Sequence, residues 1–204
     1  IESLHGGKAA KALATLVQYI DKTKFDVTVC AITGGGKYES TISENVNYKA
    51  ILKDGARGTK YSLVYKRLPM SMVYKMFVPQ GSDVEIAYTE GFATKLLSNS
   101  SNSKAKKYAW VHTDLYSNHW TKEVFSSEKE ETKVYNQYDK IIGFADLICN
   151  AFKKRFPEVV KPVETIYDPV DSLSVRLKSL NASSEEEHKV GVRLVAHGRL
   201  EAHN

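Results

Sequence analysis

The chain has 204 residues, 42% hydrophobic and 26% charged, with a net charge of +5. That length and composition suit one large globular domain, or one domain and a fragment of another, with enough apolar side chains for a core. The mild basic bias favours anionic partners, such as nucleotide phosphates, a lipid surface or nucleic acid, without choosing among them. No apolar run approaches the ~20 residues of a membrane span and no signal-peptide pattern is visible, so a cytoplasmic protein is expected. Cys30 and Cys149 lie far apart in apolar settings with no C-x-x-C pair. A cysteine zinc site is therefore excluded, and two buried thiols are expected.

Taken in chain order, "AAKALATLVQYI" (9–20) repeats its apolar residues with helical period. "FDVTVCAIT" (25–33) is a β-branched apolar run closed by "GGG", which reads as a buried strand and a loop. "NVNYKAIL" (45–52) alternates weakly, and 59–78 reads as helix broken near Pro69. "SDVEIAY" (82–88) is a strand, 91–100 a short helix and polar loop, and "KKYAWVH" (106–112) another strand. A charged helix (128–138), a strand (139–144), an amphipathic helix ended by Pro157 and a strand (162–167) follow. A solvated stretch at 184–189 then leads to a new strand at 190–200. Such alternation predicts an α/β, Rossmann-like parallel sheet with helices on both faces. Ligands of such sheets meet the carboxyl ends of the strands, so the loops after those strands are the candidates for function.

Four of these loops carry chemistry. In "LHGGKAAKAL" (4–13), Gly6 and Gly7 let backbone approach a ligand ahead of a helix whose free N–H groups suit an anion. The pattern is neither a dinucleotide fingerprint nor a P-loop, and a plain tight turn is the alternative. In "YTEGF" (88–92), Glu90 and Gly91 follow a buried strand. The carboxylate could accept sugar hydroxyls, move a proton or simply cap a helix. In "YAWVHTDLYSNHW" (108–120), His112 ends a strand, with Asp114 and His119 in H-x-D-x4-H spacing. A metal needs three or four convergent ligands and no further partner is evident, so ligand hydrogen bonding or helix capping is the expectation and metal is not. Trp110 reads as core and Trp120 as a loop anchor. In "VAHGRL" (195–200), Arg199 follows a strand and a glycine, a position suited to bidentate phosphate contact.

Read together, these pieces resemble the first, acceptor-side domain of the retaining glycosyltransferases of family 4, which have the GT-B fold, and in particular a bacterial capsular and surface polysaccharide branch. "SLHGGKAAKAL" resembles the family's Gly-Gly loop and first helix, and "FDVTVCAI" its second strand. "DVEIAYTEGFATKLL" resembles the Glu-Gly loop of that branch, and "KYAWVHTDLY" its Trp-x-His-x-Asp segment. "YDKIIGFADLICNAFKKRFP" is similar to the strand and helix usually written with Val-Ser-Glu. "VETIYDPVD" is similar to the Tyr-Asn-Pro stretch, and "VRLVAHGRLEAHN" to the segment that opens the second domain. Departures are Ala10 for a glutamate, Phe144-Ala145-Asp146 for Val-Ser-Glu, Asp168 for an asparagine, and His203-Asn204 near the place of a lysine.

The resemblance implies a Rossmann-like acceptor-side domain over 1–182, and over 183–204 a linker and the first strand of a nucleotide-sugar-binding domain. It implies transfer of a hexose-type sugar from a nucleotide diphosphate sugar to a saccharide or lipid-linked acceptor, without metal or other cofactor. His112 would contact the donor sugar, Gly6, Gly7 and Arg199 the diphosphate, and Glu90, Gly91 and Asp114 the acceptor. The 204 residues alone are expected to be inactive, because most of the donor site lies in the second domain. The alternatives are a catalytically inactive accessory protein of the same fold and a nucleotide-sugar epimerase. The basic, Met-rich segment 65–77 could rest on an anionic lipid surface at the inner face of the membrane, or pack on the sheet with its lysines turned outward. Nucleic acid is not expected, because the lysines at 104, 106, 107, 153 and 154 lack a stacking motif.

Overall fold

A computed structural model describes residues 1–53 and 68–180. The chain divides into a unit of Ile1–Val170 and a second from Asp171 onward. The first unit runs α1 (Lys8–Tyr19), β1 (Thr28–Thr33), α2 (Glu39–Ser43), β2 (Asn47–Leu52), α3 (Met70–Phe77), β3 (Val84–Ala87), α4 (Phe92–Leu97), β4 (Lys106–Val111), α5 (Glu128–Tyr135), β5 (Lys140–Gly143), α6 (Asp146–Arg155) and β6 (Val163–Thr165). A 3-10 turn at Trp120–Glu123 precedes α5. The described part of the second unit is α7 (Ser172–Leu180), which buries none of its side chains. The expected boundary at 182/183, Arg199 and the strand at 190–200 lie outside the described residues, as do residues 59–67 of the helix expected over 59–78.

All strand pairings are parallel. β1 pairs with β2, and β3, β4, β5 and β6 pair in that order. The first three residues join these two sheets. The carbonyls of Ile1 and Glu2 accept the N–H groups of Ile32 and Thr33, both at 3.0 Å. On the other flank the Glu2 N–H donates to Thr89 Oγ1 at 3.2 Å, just beyond β3. Residues 1–3 thus run parallel to β1, through the Ser3–Thr33 bridge, and touch the loop after β3, between the β1–β2 pair and the β3–β6 sheet. Chain connections run outward in both directions from residues 1–3, which makes that segment the topological switch point where open α/β sheets bind ligands.

β4 and β5 are buried on both faces toward their carboxyl ends, which is why they read as apolar runs, whereas β3 alternates, with Val84 and Ile86 exposed and Glu85 and Ala87 buried. Ile32, Ala87, Ala109, Val111 and Ile141 face one way, against Val73 of α3, Phe92 and Leu96 of α4, Tyr135 of α5 and Phe152 of α6. Val29, Ala31, Trp110 and Ile142 face the other way, against Leu13, Ala14 and Val17 of α1 and Ile42 of α2. Burying a large apolar side chain contributes about 1.5–3 kcal/mol, so these two layers hold the strand ends in place. The helix ends follow local rules. α3 starts directly after Pro69. Ser127 caps α5 by accepting the Glu130 N–H at 3.1 Å. α6 begins with Asp146 and ends with Lys153, Lys154 and Arg155, matching its dipole. α2, α7 and the 3-10 turn were not anticipated from sequence; α2 has only five residues, too few to show a period.

Candidate functional site

The first loop is built to leave a helix end open. Gly7 has φ +90°, in the left-handed region that favours glycine. A Cβ on Gly6 or Gly7 would meet nothing within 4 Å, so both border open space. α1 has no side-chain cap at Gly7, and its first N–H groups and positive dipole end are presented to whatever occupies that space. Gly36, from the "GGG" loop, backs this segment. Its φ is +106°, and a Cβ there would lie 2.4 Å from the His5 nitrogen. The Tyr38 N–H also donates to the Leu4 carbonyl at 3.2 Å.

β4 delivers His112 to the carboxyl edge of the sheet, and Glu90 fixes it there. Glu90 is only 2% exposed. One of its oxygens accepts the His112 backbone N–H at 3.0 Å, and the other accepts the Thr113 hydroxyl. Thr113 Oγ1 in turn accepts the Trp120 indole N–H at 3.1 Å. Trp120 lies flat against Gly91, where φ is +86° and a Cβ would come within 2.6 Å of the indole. Glu90 and Gly91, expected against an acceptor, are thus engaged with the chain itself, behind the strand end. Asp114 is also turned to its own loop. It accepts the N–H groups of Tyr116 at 3.0 Å and Ser117 at 2.9 Å and the Ser117 hydroxyl at 2.7 Å. The bonds from Ser117 hold its carboxyl below the usual carboxylate range. His119 points elsewhere: Nε2 lies 2.7 Å from Glu131, and Nδ1 2.8 Å from Arg155. The H-x-D-x4-H spacing therefore does not converge. Among the described residues no three His, Cys, Asp or Glu side chains gather as a metal would require.

What does converge is a set of buried polar atoms without partners. The His112 side chain is 5% exposed, and neither ring nitrogen is hydrogen-bonded. Nδ1 lies 3.7 Å from Asp168 Oδ2. Asp168 Oδ1, the Tyr88 hydroxyl and the Trp110 indole nitrogen are equally unbonded. The imidazole is sandwiched between aromatic rings, stacked on Trp110 at 6.2 Å and on Phe144 at 6.0 Å, with Tyr88 at 5.1 Å. Each unsatisfied buried group costs about 1–3 kcal/mol, and native proteins keep few of them. Several together at a strand edge mark a place prepared for a polar ligand.

The charges there are interlocked. Burial pushes His112 below its ordinary value, against the upward pull of the Asp168 and Glu90 carboxylates and the Tyr88 carbonyl. Burial pushes Asp168 up, against His112 and Lys8. Burial also raises Tyr88, with Asp168 adding to it. Lys8, the first residue of α1, acts on Asp168 through its charge alone. Sequence reading singled out Gly6, Gly7 and His112. It missed Tyr88 and Lys8 and noted Asp168 only as a departure from a family pattern. The signal that could have found them is position, since Tyr88 follows β3 directly and Asp168 follows β6 by three residues.

Comparison of the chain with protein-family models finds no match, and neither curated proteins nor solved structures give one. The class that stands on the geometry alone is an α/β, Rossmann-like fold of parallel strands flanked by helices. Among the described residues no helix is long and apolar enough to cross a membrane.

Proposed function

We propose that the chain is the acceptor-side half of a GT-B glycosyltransferase that moves a hexose-type sugar from a nucleotide diphosphate sugar to a saccharide or lipid-linked acceptor. The observation that carries this reading is the unbonded, buried His112 ring beside Asp168 at the carboxyl edge of a parallel sheet. The resemblance of the loops at 4–13, 88–92 and 108–117 supports it from the sequence side. In this reading the backbone N–H groups after Gly6 and Gly7, with Lys8, face the diphosphate and offset the charge that grows on the leaving group, the kind of electrostatic stabilisation a metal would otherwise supply. The resemblance implies a diphosphate contact for Arg199 too, a residue outside the described ones. His112 meets the donor sugar, and Glu90 acts through it by holding the backbone N–H of His112.

A lipid-linked acceptor would also give α3 a purpose. Its buried side is Met70, Val73 and Tyr74. On the other side Met72 and Met76, four residues apart, are exposed, at 62% for Met76, with Lys75 beside them. Such a stripe could rest on an anionic lipid surface.

The test is thermal shift and donor hydrolysis by the full-length protein against UDP-, GDP- and ADP-sugars. Stabilisation by one donor, with slow hydrolysis that His112→Ala abolishes, is expected. If no donor shifts the melting temperature, or if His112→Ala leaves hydrolysis unchanged, the transferase reading fails.

A further inference from the structure

His112 is the residue on which the proposed function turns, yet an imidazole can meet a ligand in opposite ways. With its proton on Nδ1, the ring offers Nε2 as an acceptor; with the proton on Nε2, it offers a donor. The groups around the ring decide between them. From the loop after β3, each oxygen of the Glu90 carboxylate already accepts one bond, from the His112 backbone N–H and from the Thr113 hydroxyl, and neither is bonded to the ring. From the end of β3 comes the Tyr88 carbonyl, a neutral acceptor. After β5, Phe144 closes one face of the ring and offers no side-chain polar atom. After β6, Asp168 places Oδ2 3.7 Å from Nδ1, and its second oxygen is also without a partner. Burial raises the Asp168 carboxyl, while the charges of His112 and, more weakly, Lys8 favour its ionised form. Asp168 is therefore the only charged acceptor beside the ring among the described residues that is not already committed. A carboxylate accepts about twice as strongly as a neutral carbonyl.

We propose that Asp168 is a positioning residue that keeps the proton of neutral His112 on Nδ1, so that Nε2 is presented as a hydrogen-bond acceptor to a hydroxyl of the bound ligand. The inference rests on the reading of His112 as the ligand-facing residue. It narrows the chemistry that reading admits: the group opposite Nε2 must carry a proton, as a sugar hydroxyl does and a carboxylate or bare phosphate oxygen does not. It also gives a use to the carboxylate that stands at 168, since a carboxamide could turn either its oxygen or its nitrogen toward Nδ1 and would fix neither tautomer.

The experiment is nitrogen NMR of the six histidines in the ligand-free full-length protein labelled at the imidazole nitrogens. It is done at a pH where the ring is neutral, with His112 assigned by its loss in His112→Gln. The wild type is expected to hold the proton on Nδ1 alone, and Asp168→Asn to populate the Nε2 proton as well. A wild-type ring protonated on Nε2, or an Asp168→Asn ring that stays wholly on Nδ1, overturns the proposal. A purely structural role for Asp168 would not move the tautomer. Because no ligand is present, the result is independent of the donor panel. A protein that binds no donor and still loses its single tautomer in Asp168→Asn would retire the transferase reading and leave the Asp168–His112 pair standing.

Discussion

Glu90 accepts the backbone N–H of His112 at 3.0 Å, while the ring of the same histidine makes no hydrogen bond. One residue is thus held rigidly by its main chain and left unsatisfied by its side chain. That division separates what keeps the strand end in place from what remains for a ligand.

Glu90→Ala removes the acceptor of two groups, the His112 N–H and the Thr113 hydroxyl. Leaving them buried and unpaired is expected to cost about 2–4 kcal/mol in all. Glu90→Gln keeps one acceptor oxygen and should cost roughly half of that. Urea unfolding of the two variants checks the order, and an alanine variant as stable as the wild type would remove Glu90 from its anchoring role.

Glycines at the two loops should separate stability from binding. Gly91→Ala meets both a φ of +86° and the Trp120 ring at 2.6 Å, so a loss of about 2 kcal/mol or more is expected. A methyl at Gly6 meets nothing, and Gly6 is not among the positive-φ residues. Gly6→Ala should therefore unfold at the wild-type urea concentration, within about 0.5 kcal/mol, yet bind the nucleotide diphosphate sugar more weakly because the methyl enters the space beside the helix end. Unchanged binding in Gly6→Ala would count against that loop as the diphosphate site.

The pH dependence of stability has a definite sign at His112. Burial lowers its folded value below the ordinary 6.5. Between those two values the unfolded chain holds a proton that the folded chain does not, so stability rises with pH through that window and levels off above 6.5. His112→Phe keeps a ring in the aromatic stack and removes the titration. The stability of the wild type relative to His112→Phe should therefore climb as pH rises toward 6.5 and level off above it, as read by urea unfolding at stepped pH. A flat difference would mean that the ring is not desolvated.

If the segment 65–77 meets lipid, reversing its charge should release it. Flotation with vesicles rich in anionic lipid is expected to carry the wild type and to leave a Lys66→Glu, Arg67→Glu, Lys75→Glu variant in the dense fraction. Equal recovery of both would dismiss the lipid contact.

The sheet could be read from sequence because its information is local. Runs such as "TVCAI" and "YAWV" are apolar on both faces, and helical spans separate them. His112 was legible for the same reason, as a polar residue directly after an apolar strand. The site around it was not. Lys8, Tyr88 and Asp168 belong to three separate elements and come together only through the order of the strands. Nor could sequence say that Glu90 turns inward to hold a backbone N–H, since a carboxylate before a glycine is equally at home in solvent. The "GGG" at 34–36 was read as a loop, and its closeness to the His5 backbone is a tertiary fact that composition does not carry.

The place of residues 1–3 in the middle of the sheet bears on how the protein is made. The segment emerges during synthesis before either of its neighbours. It gains one partner when β1 exists and the other only once Thr89 has followed. The pairs β1–β2 and β3–β4 can each form from nearby sequence, but the seam that unites them must wait for contacts distant in the chain, and such contacts are slow to form. The His112–Asp168 pair, built on β4 and the segment after β6, belongs to the side of that seam completed last. Ligand competence should therefore arrive late in folding, after most of the secondary structure is already in place.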